Sequence, residues 1–383
     1  MIAFFAFISA AFVIWRAIWM IPGKRGVLKF ILTITTILIA FKFQIFHFLG
    51  RGSYFAPNLP RWLLAAGALL YSIYFIFFFL LLFSELCRWL LRLIFNFLKR
   101  KCPEKFRKFA AWINPLLLAV AFTLATAGFI CGAAFPEVRP LTLEFPSLPR
   151  RAENLKIVWL TDLHVDNMSD PQRLPLIVAK INSLEPDLIL LGGDYVDGTL
   201  SALKEKLRPL AGLKARYGVF AIPGNHEYYS GFAPWMEFME KECHITMLVN
   251  ASHELPCGIT LVGLGDQVGI RRNEPAVNFR TAFKDVDPDA PVILLAHRPE
   301  LAHHAAGMKV MLQLSGHTHG GMIWGMKRVV KTLNGGFVSG VYNIGGTCLY
   351  VSNGTGIWSG FPIRLGAPSE ITFIELKSSE KER

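Results

Sequence analysis

The chain has 383 residues, a formal net charge of +12 and 31 phenylalanines, and about half of it is apolar. Residues 1–140 carry 16 Lys and Arg against 3 Asp and Glu, whereas 141–383 carry 24 against 25. The basic character therefore belongs to the N-terminal part. The near-neutral remainder speaks against a nucleic-acid partner, and six cysteines without a C-x-x-C pair speak against a zinc finger or redox motif.

Four apolar stretches, at about 2–21, 28–49, 62–86 and 115–135, are each long enough to cross a bilayer, which takes ~20 helical residues. They predict a transmembrane region over 1–135. Arg16, Lys29 and Lys42 fall within or near span ends, where long basic side chains snorkel to the headgroups. The loop after the third stretch carries Arg88, Arg92, Lys99, Arg100, Lys101, Lys105, Arg107 and Lys108, and the loop after the first carries Lys24 and Arg25. Basic loops stay in the cytoplasm, which predicts a multi-pass cell-membrane protein with its C-terminal domain on the non-cytoplasmic side. Residues 136–152 follow, with prolines at 136, 140, 146 and 149, and predict a short extended linker. Part of it, LTLEF, also has the pattern of a first strand. The linker would hold the domain within tens of ångströms of the lipid surface.

From 153 to 376 strand and helix patterns alternate, ahead of a Lys/Glu-rich tail at 377–383 that predicts disorder. The runs KIVWL (156–160), DLILL (187–191), GVFAI (218–222), VILLA (292–296) and VMLQL (310–314) read as buried strands of an α/β domain. Helices are expected at 174–183, 201–213 and 235–241, and short strands at 328–332, 337–338, 348–352 and 370–376. Cys243 and Cys257 lie in one short segment and either pair, if the domain is exported, or pack as free thiols.

Directly behind the five apolar runs stand five polar motifs: Asp162-Leu163-His164, Gly193-Asp194-Tyr195-Val196-Asp197, Gly224-Asn225-His226-Glu227, His297, and Gly316-His317-Thr318-His319. Loops beyond the carboxyl ends of such strands form the ligand crevice of open α/β sheets. Asp, His and Asn brought together there suit hard-to-borderline divalent metals. Hydrolysis of a phosphoester must activate water and neutralise charge on phosphorus, and two cations ~3.5–4 Å apart do both.

The ordered set D-x-H, G-D-x-x-D, G-N-H-E, H and G-H-x-H resembles the calcineurin-like metallophosphoesterases, of the subgroup with N-terminal transmembrane helices. The resemblance implies a two-sheet αββα sandwich behind the four-helix membrane region, and a dinuclear centre of Mn, Fe, Zn or a mixed pair. Carried over motif by motif, Asp162, His164 and His319 would hold one metal and Asn225, His297 and His317 the other, with Asp194 between them. His226 would protonate the leaving oxygen or hold the phosphate, and Asp197 and Glu227 would orient the ligand histidines or His226. One departure is Met322, where many relatives have Gln; with Ile323 and Trp324 it predicts a more apolar wall. The aromatic residues after the third motif, together with Trp358 and Phe361, form either core or a rim that meets lipid.

The reading that follows is a membrane-anchored metal-dependent phosphohydrolase. It would cleave a phosphodiester, pyrophosphate or monoester of a phosphorylated small molecule, lipid or envelope component, with the lipid bilayer as its physical partner. The alternative is a membrane sensor or transport-associated protein whose soluble domain binds metal without turnover; the intact His226 argues against it.

Overall fold

A computed structural model of the chain describes residues 2–21, 23–51, 56–99 and 104–379, with the backbone alone over 104–112. It divides into two compact units: Met1–Ile130 with Gly360–Ile363, and Cys131–Ser359 with Arg364–Arg383.

The first unit is helical: α1 (Ile2–Val13), which runs into a π-turn at Ile14–Ile18, α2 (Gly26–Ala40), α3 (Lys42–Gly50), α4 (Arg61–Phe97) and α5 (Glu104–Ala133), the last of which begins in this unit and ends in the second. Among the described residues, not all four expected spans are single helices of spanning length. By length and apolar composition α4 and the Ile113–Ala133 part of α5 can cross a membrane, and α2 with α3 makes a third only if the pair counts as one span bent by 69°. Ile2–Ile18 is apolar but short of the ~20 residues a ~30 Å core requires. The bend falls at Phe41, where φ is −94° and ψ is 19°, with neither Gly nor Pro to announce it. Arg16 does not snorkel alone: its Nη2 lies 2.5 Å from Glu85 Oε2, and Arg88 shares the same carboxylate at 2.6 Å. Lys42 is buried, its amine 4.3 Å from the Phe43 ring and 5.0 Å from Tyr71. Phe75 meets Phe361, which folds with the helices, at 4.8 Å between centroids. Arg100 and Lys101 of the basic loop lie outside the described residues, as do 380–383 of the expected tail.

The second unit contains twelve strands: β1 (Glu137–Phe145), β2 (Lys156–Leu160), β3 (Leu188–Leu191), β4 (Val219–Ala221), β5 (Thr246–Met247), β6 (Ala251–Glu254), β7 (Thr260–Gly263), β8 (Val292–Leu295), β9 (Val310–Ser315), β10 (Gly340–Ile344), β11 (Thr347–Val351) and β12 (Glu370–Ser378). They form two sheets of six, in the orders β1-β12-β2-β3-β4-β5 and β10-β11-β9-β8-β7-β6. Alternation along the strands assigns the layers. Ile157 and Trp159 of β2 and Leu188 and Leu190 of β3 join Leu261, Ile293, Leu295, Leu312 and Leu314 of the other sheet in one core. Val158, Leu160, Ile189 and Leu191 face the opposite way. They pack on α6 (Arg173–Asn182), α7 (Leu200–Leu207) and α9 (Phe232–Lys241) through Ile177, Ile181, Leu203, Leu207, Trp235 and Phe238. Between α7 and α9 lies the six-residue α8 (Asn225–Ser230). On the far side of the second sheet, Val262, Leu294 and Val310 meet Ala282 and Ala305 of two short helices. The result is the expected αββα sandwich.

Several details differ from the sequence reading, and the alternative left open for Cys243 and Cys257 is decided. The segment expected as linker over 136–152 is largely strand: β1 pairs in parallel with β12 over nine residues, and Leu143 and Phe145 enter the inter-sheet core. Pro140 is tolerated because β1 is an edge strand. The strand expected at 328–332 is the helix Lys327–Leu333, and the expected tail begins later, since β12 runs to Ser378. Cys243 and Cys257 are both buried free thiols, and they sit in different layers, Cys243 under the helices and Cys257 between the sheets.

Candidate metal centre

All five motif loops leave the same edge of the sandwich, three from the first sheet behind β2, β3 and β4 and two from the second behind β8 and β9. Backbone bonds splice them together. Asp162 N–H donates to Gly193 O at 2.9 Å, His164 N–H to Asp194 O at 3.0 Å, and Gly316 N–H to His297 O at 3.0 Å. The approach is close enough to require glycine. A Cβ on Gly193, where φ is +87°, would stand 2.2 Å from Gly224 N, and one on Gly316 would stand 2.3 Å from Asp162 Oδ2. Asp162, His164, Asp194, His317 and His319 all take positive φ, between 47° and 69°. Such strain persists where surrounding structure over-determines it, and it turns these side chains inward from strand ends whose alternation would otherwise separate them.

Among the described residues the inward atoms form three groups, each able to hold a metal ion: Asp162, His164 and His319; His164, Asp194 and His226; and Asp194, His297 and His317. His164 Nε2 lies 3.0 Å from His319 Nε2 and 3.9 Å from Asp162 Oδ1. Asp194 Oδ2 lies 3.8 Å from His164 Nε2 on one side and 3.2 Å from His297 Nε2 on the other, with His317 Nδ1 3.3 Å beyond. His164 Nε2 and His319 Nε2 face each other at 3.0 Å, a spacing that a shared proton bridges and that a cation bound by both rings would replace. Asn225 adds a second sign, since its Oδ1 is buried without a hydrogen-bond partner. Buried polar atoms are ordinarily paired, so this oxygen and the Asp/His set fit divalent metals.

The electrostatics follow from burial and proximity. Burial works to raise the Asp194 carboxyl, but His297, His226 and His164 outweigh it and hold it well below the usual range. Asp162 is raised, first by burial and then by Asp194. Burial acts to lower His226, yet Asp194 and Asp197 prevail and lift it to about 10. His317 and His319 are held well below the ordinary imidazole value by burial, helped by Arg298 and His164 respectively.

The supporting residues divide in an unexpected way. Asp197 accepts from His164 Nδ1 at 3.1 Å through one oxygen and from His226 Nδ1 through the other, so it orients both rings. Glu227 touches no histidine. It accepts the backbone N–H groups of Asp194, Tyr195 and Gly224 at 2.7–2.9 Å and so ties the second motif to the third. His297 donates from Nδ1 to Gly192 O at 2.8 Å.

Sequence reasoning passed over several neighbours. Thr161 donates to Asp162 Oδ2 at 2.8 Å, Arg298 stands 3.0 Å from His317 Nε2 while bound to Asp266 at 2.8 Å, and Arg364 reaches His319 Nδ1 at 3.2 Å. Thr161 and Arg298 abut motif residues and were within reach of a local reading. Arg364, 45 residues past His319, carried no local signal. The Tyr229 and Trp358 rings flank His226 at 5.5 and 6.3 Å, whereas Tyr228, Phe232, Trp235 and Phe238 are core. Met322 is half-buried, and the remaining histidines lie elsewhere: His253 packs on Phe220, His303 bonds Gly335 O and His304 packs on Phe279.

A two-sheet sandwich with Asp/His clusters at one strand-end edge defines a dimetal hydrolase type of site. The calcineurin-like phosphoesterase family model matches residues 155–321. An uncharacterized metallophosphoesterase of Helicobacter pylori is 37% identical over 266 residues, 68% of this chain and 70% of that protein. A transmembrane protein with metallophosphoesterase domain from Bos taurus is 33% identical over 291 residues, 72% of this chain and 65% of that one. The matches thus span about two thirds of the relatives' own lengths. A dimetal phosphatase structure from Danio rerio is 11% identical, with a TM-score of 0.35, over 53% of this chain and 88% of that one, too distant to carry an argument. The chain belongs to the calcineurin-like metallophosphoesterases and is a metal-dependent phosphoesterase.

Proposed function

We propose that the protein is a multi-pass, membrane-anchored phosphohydrolase that cleaves a phosphodiester, pyrophosphate or monoester borne by a lipid or envelope molecule. In this reading Asp162, His164 and His319 hold one divalent ion, Asn225, His297 and His317 hold a second, and Asp194 serves both. The observation that carries it is the place of Asp194, whose Oδ2 lies 3.8 Å from His164 Nε2 on one side and 3.2 Å from His297 Nε2 on the other. Bound metals would supply water activation and charge neutralisation on phosphorus.

The chain's own residues do the rest. His226 Nε2 faces the cluster, 3.8 Å from Asp194 Oδ2, while its Nδ1 is engaged by Asp197. His226 is placed to pass a proton from Nε2 to the departing oxygen as the phosphorus–oxygen bond breaks. Asp197 then stabilises the orientation of the neutral ring. Tyr229 and Trp358 narrow the approach to His226. The basic loops after the first and third apolar stretches support a catalytic domain on the non-cytoplasmic side.

The test is turnover of bis-p-nitrophenyl phosphate by purified protein with manganese. Asp194→Asn is expected to abolish it while the far-ultraviolet circular dichroism stays unchanged. Undiminished turnover in that variant refutes the site.

A further inference from the structure

Between Glu300 and Glu370 the chain contains no Asp or Glu, while it carries Lys309, Lys327, Arg328, Lys331 and Arg364. Lys309 pairs with Asp289, and Arg364 is buried against His319. The other three stand on the helix Lys327–Leu333, which has no buried residue, and among the described residues none of them meets a carboxylate. The same segment displays apolar surface. Trp324 is 74% exposed, Val329 49% and Leu333 76%. Among the described residues, three of the seven large apolar side chains exposed in 141–383 therefore lie within these ten positions.

The segment is fixed rather than loose. Trp324 N–H donates to Leu365 O at 3.1 Å, and Leu365 N–H donates to Met322 O at 2.8 Å. It begins three residues after His319, so its position is tied to the metal centre. Fixed apolar side chains interleaved with unpaired cations are costly to leave in water and have a natural occupant. Trp prefers the membrane–water interface. Basic amphipathic segments lie in the headgroup plane. Each Lys or Arg near an anionic leaflet adds roughly fivefold to affinity. A second copy of the same patch is a poor occupant, because an isologous contact would set its three cations against three more.

We propose that residues 322–333 form an interfacial element that docks on an anionic lipid surface, inserting Trp324 and Leu333 among the headgroups and setting Lys327, Arg328 and Lys331 against lipid phosphates. It rests on the membrane anchoring and not on the reaction.

The test is hydrogen exchange of the full chain in three settings: uncharged detergent micelles, nanodiscs of phosphatidylcholine, and nanodiscs containing phosphatidylglycerol. Exchange across 322–333 is expected to slow on the order of tenfold in the anionic discs relative to the zwitterionic ones, and to recover at high salt. The variant Lys327→Glu/Arg328→Glu/Lys331→Glu is expected to lose the difference, and Val329→Ser/Leu333→Ser to lose protection in both kinds of disc. Both variants are expected to hydrolyse soluble bis-p-nitrophenyl phosphate at the unaltered rate, which separates docking from chemistry. Equal exchange in all three settings overturns the proposal, as does protection that ignores salt in the unaltered chain. Protection that rises with protein concentration rather than with anionic lipid assigns the patch to self-association and overturns it equally.

Discussion

The helical unit and the sandwich solve the same problem, burying polar groups among apolar ones, in different ways. In the helices the polar groups are few, and some pair between helices: Arg16 and Arg88 share Glu85, and the Tyr74 hydroxyl donates to Ser9 at 2.6 Å. In the sandwich they are many and gathered at one edge, where Asp162, His164, Asp194 and His297 are almost wholly buried and linked through shared carboxylates and backbone N–H groups. A sparse pair stabilises packing. A crowded cluster held in left-handed backbone conformations is under strain, and it persists because two sheets and their glycine turns leave it no other arrangement.

That contrast can be broken by experiment. His226→Ala is expected to lower turnover of bis-p-nitrophenyl phosphate by on the order of 10³, about 4 kcal/mol of barrier, with little change in melting temperature. A melting shift as large as that of a core mutant would make His226 structural. Trp159→Ala, which empties a wholly buried position between the sheets, should cost roughly 3–5 kcal/mol in denaturant unfolding of the sandwich. In the helices, Glu85→Gln leaves two arginines sharing a neutral partner. With the pair at 10% and 16% exposure, the expected loss is about 2 kcal/mol, read as a lower melting temperature in detergent. Phe83→Leu, at a position 66% exposed on α4, should change stability by less than about 0.5 kcal/mol; a larger loss would show that this face packs on something.

Much of the sandwich was legible in the chain because its signals are local. The run KIVWL became β2 without a shift of boundary, and VILLA and VMLQL became β8 and β9 to within a residue. Boundaries failed where a competing force acted over distance. The proline-rich 136–152 reads as linker, yet β12 offers an open edge and Leu143 and Phe145 offer apolar area to bury, so most of it joins the sheet. The valine pair in 328–332 reads as strand, yet it stays at the surface and the segment turns helical. Glu227 was expected beside a histidine; in the fold its carboxylate accepts Gly224 N–H from its own turn and the N–H groups of Asp194, Tyr195 and Val196, which only the docking of two loops brings to it.

By itself the sequence determined the family, the order of the motifs and the residue types that converge, because the chemistry of the site admits few substitutes and each motif sits behind a strand. Tertiary structure alone decided which atoms face each other. It put His164 beside His319 across 155 positions, Arg364 behind His319, and Asp194 between two histidine clusters. It also decided that the second apolar stretch bends at Phe41. These outcomes depend on packing between segments distant in sequence, and a one-dimensional pattern of polarity carries no record of which strand ends will meet.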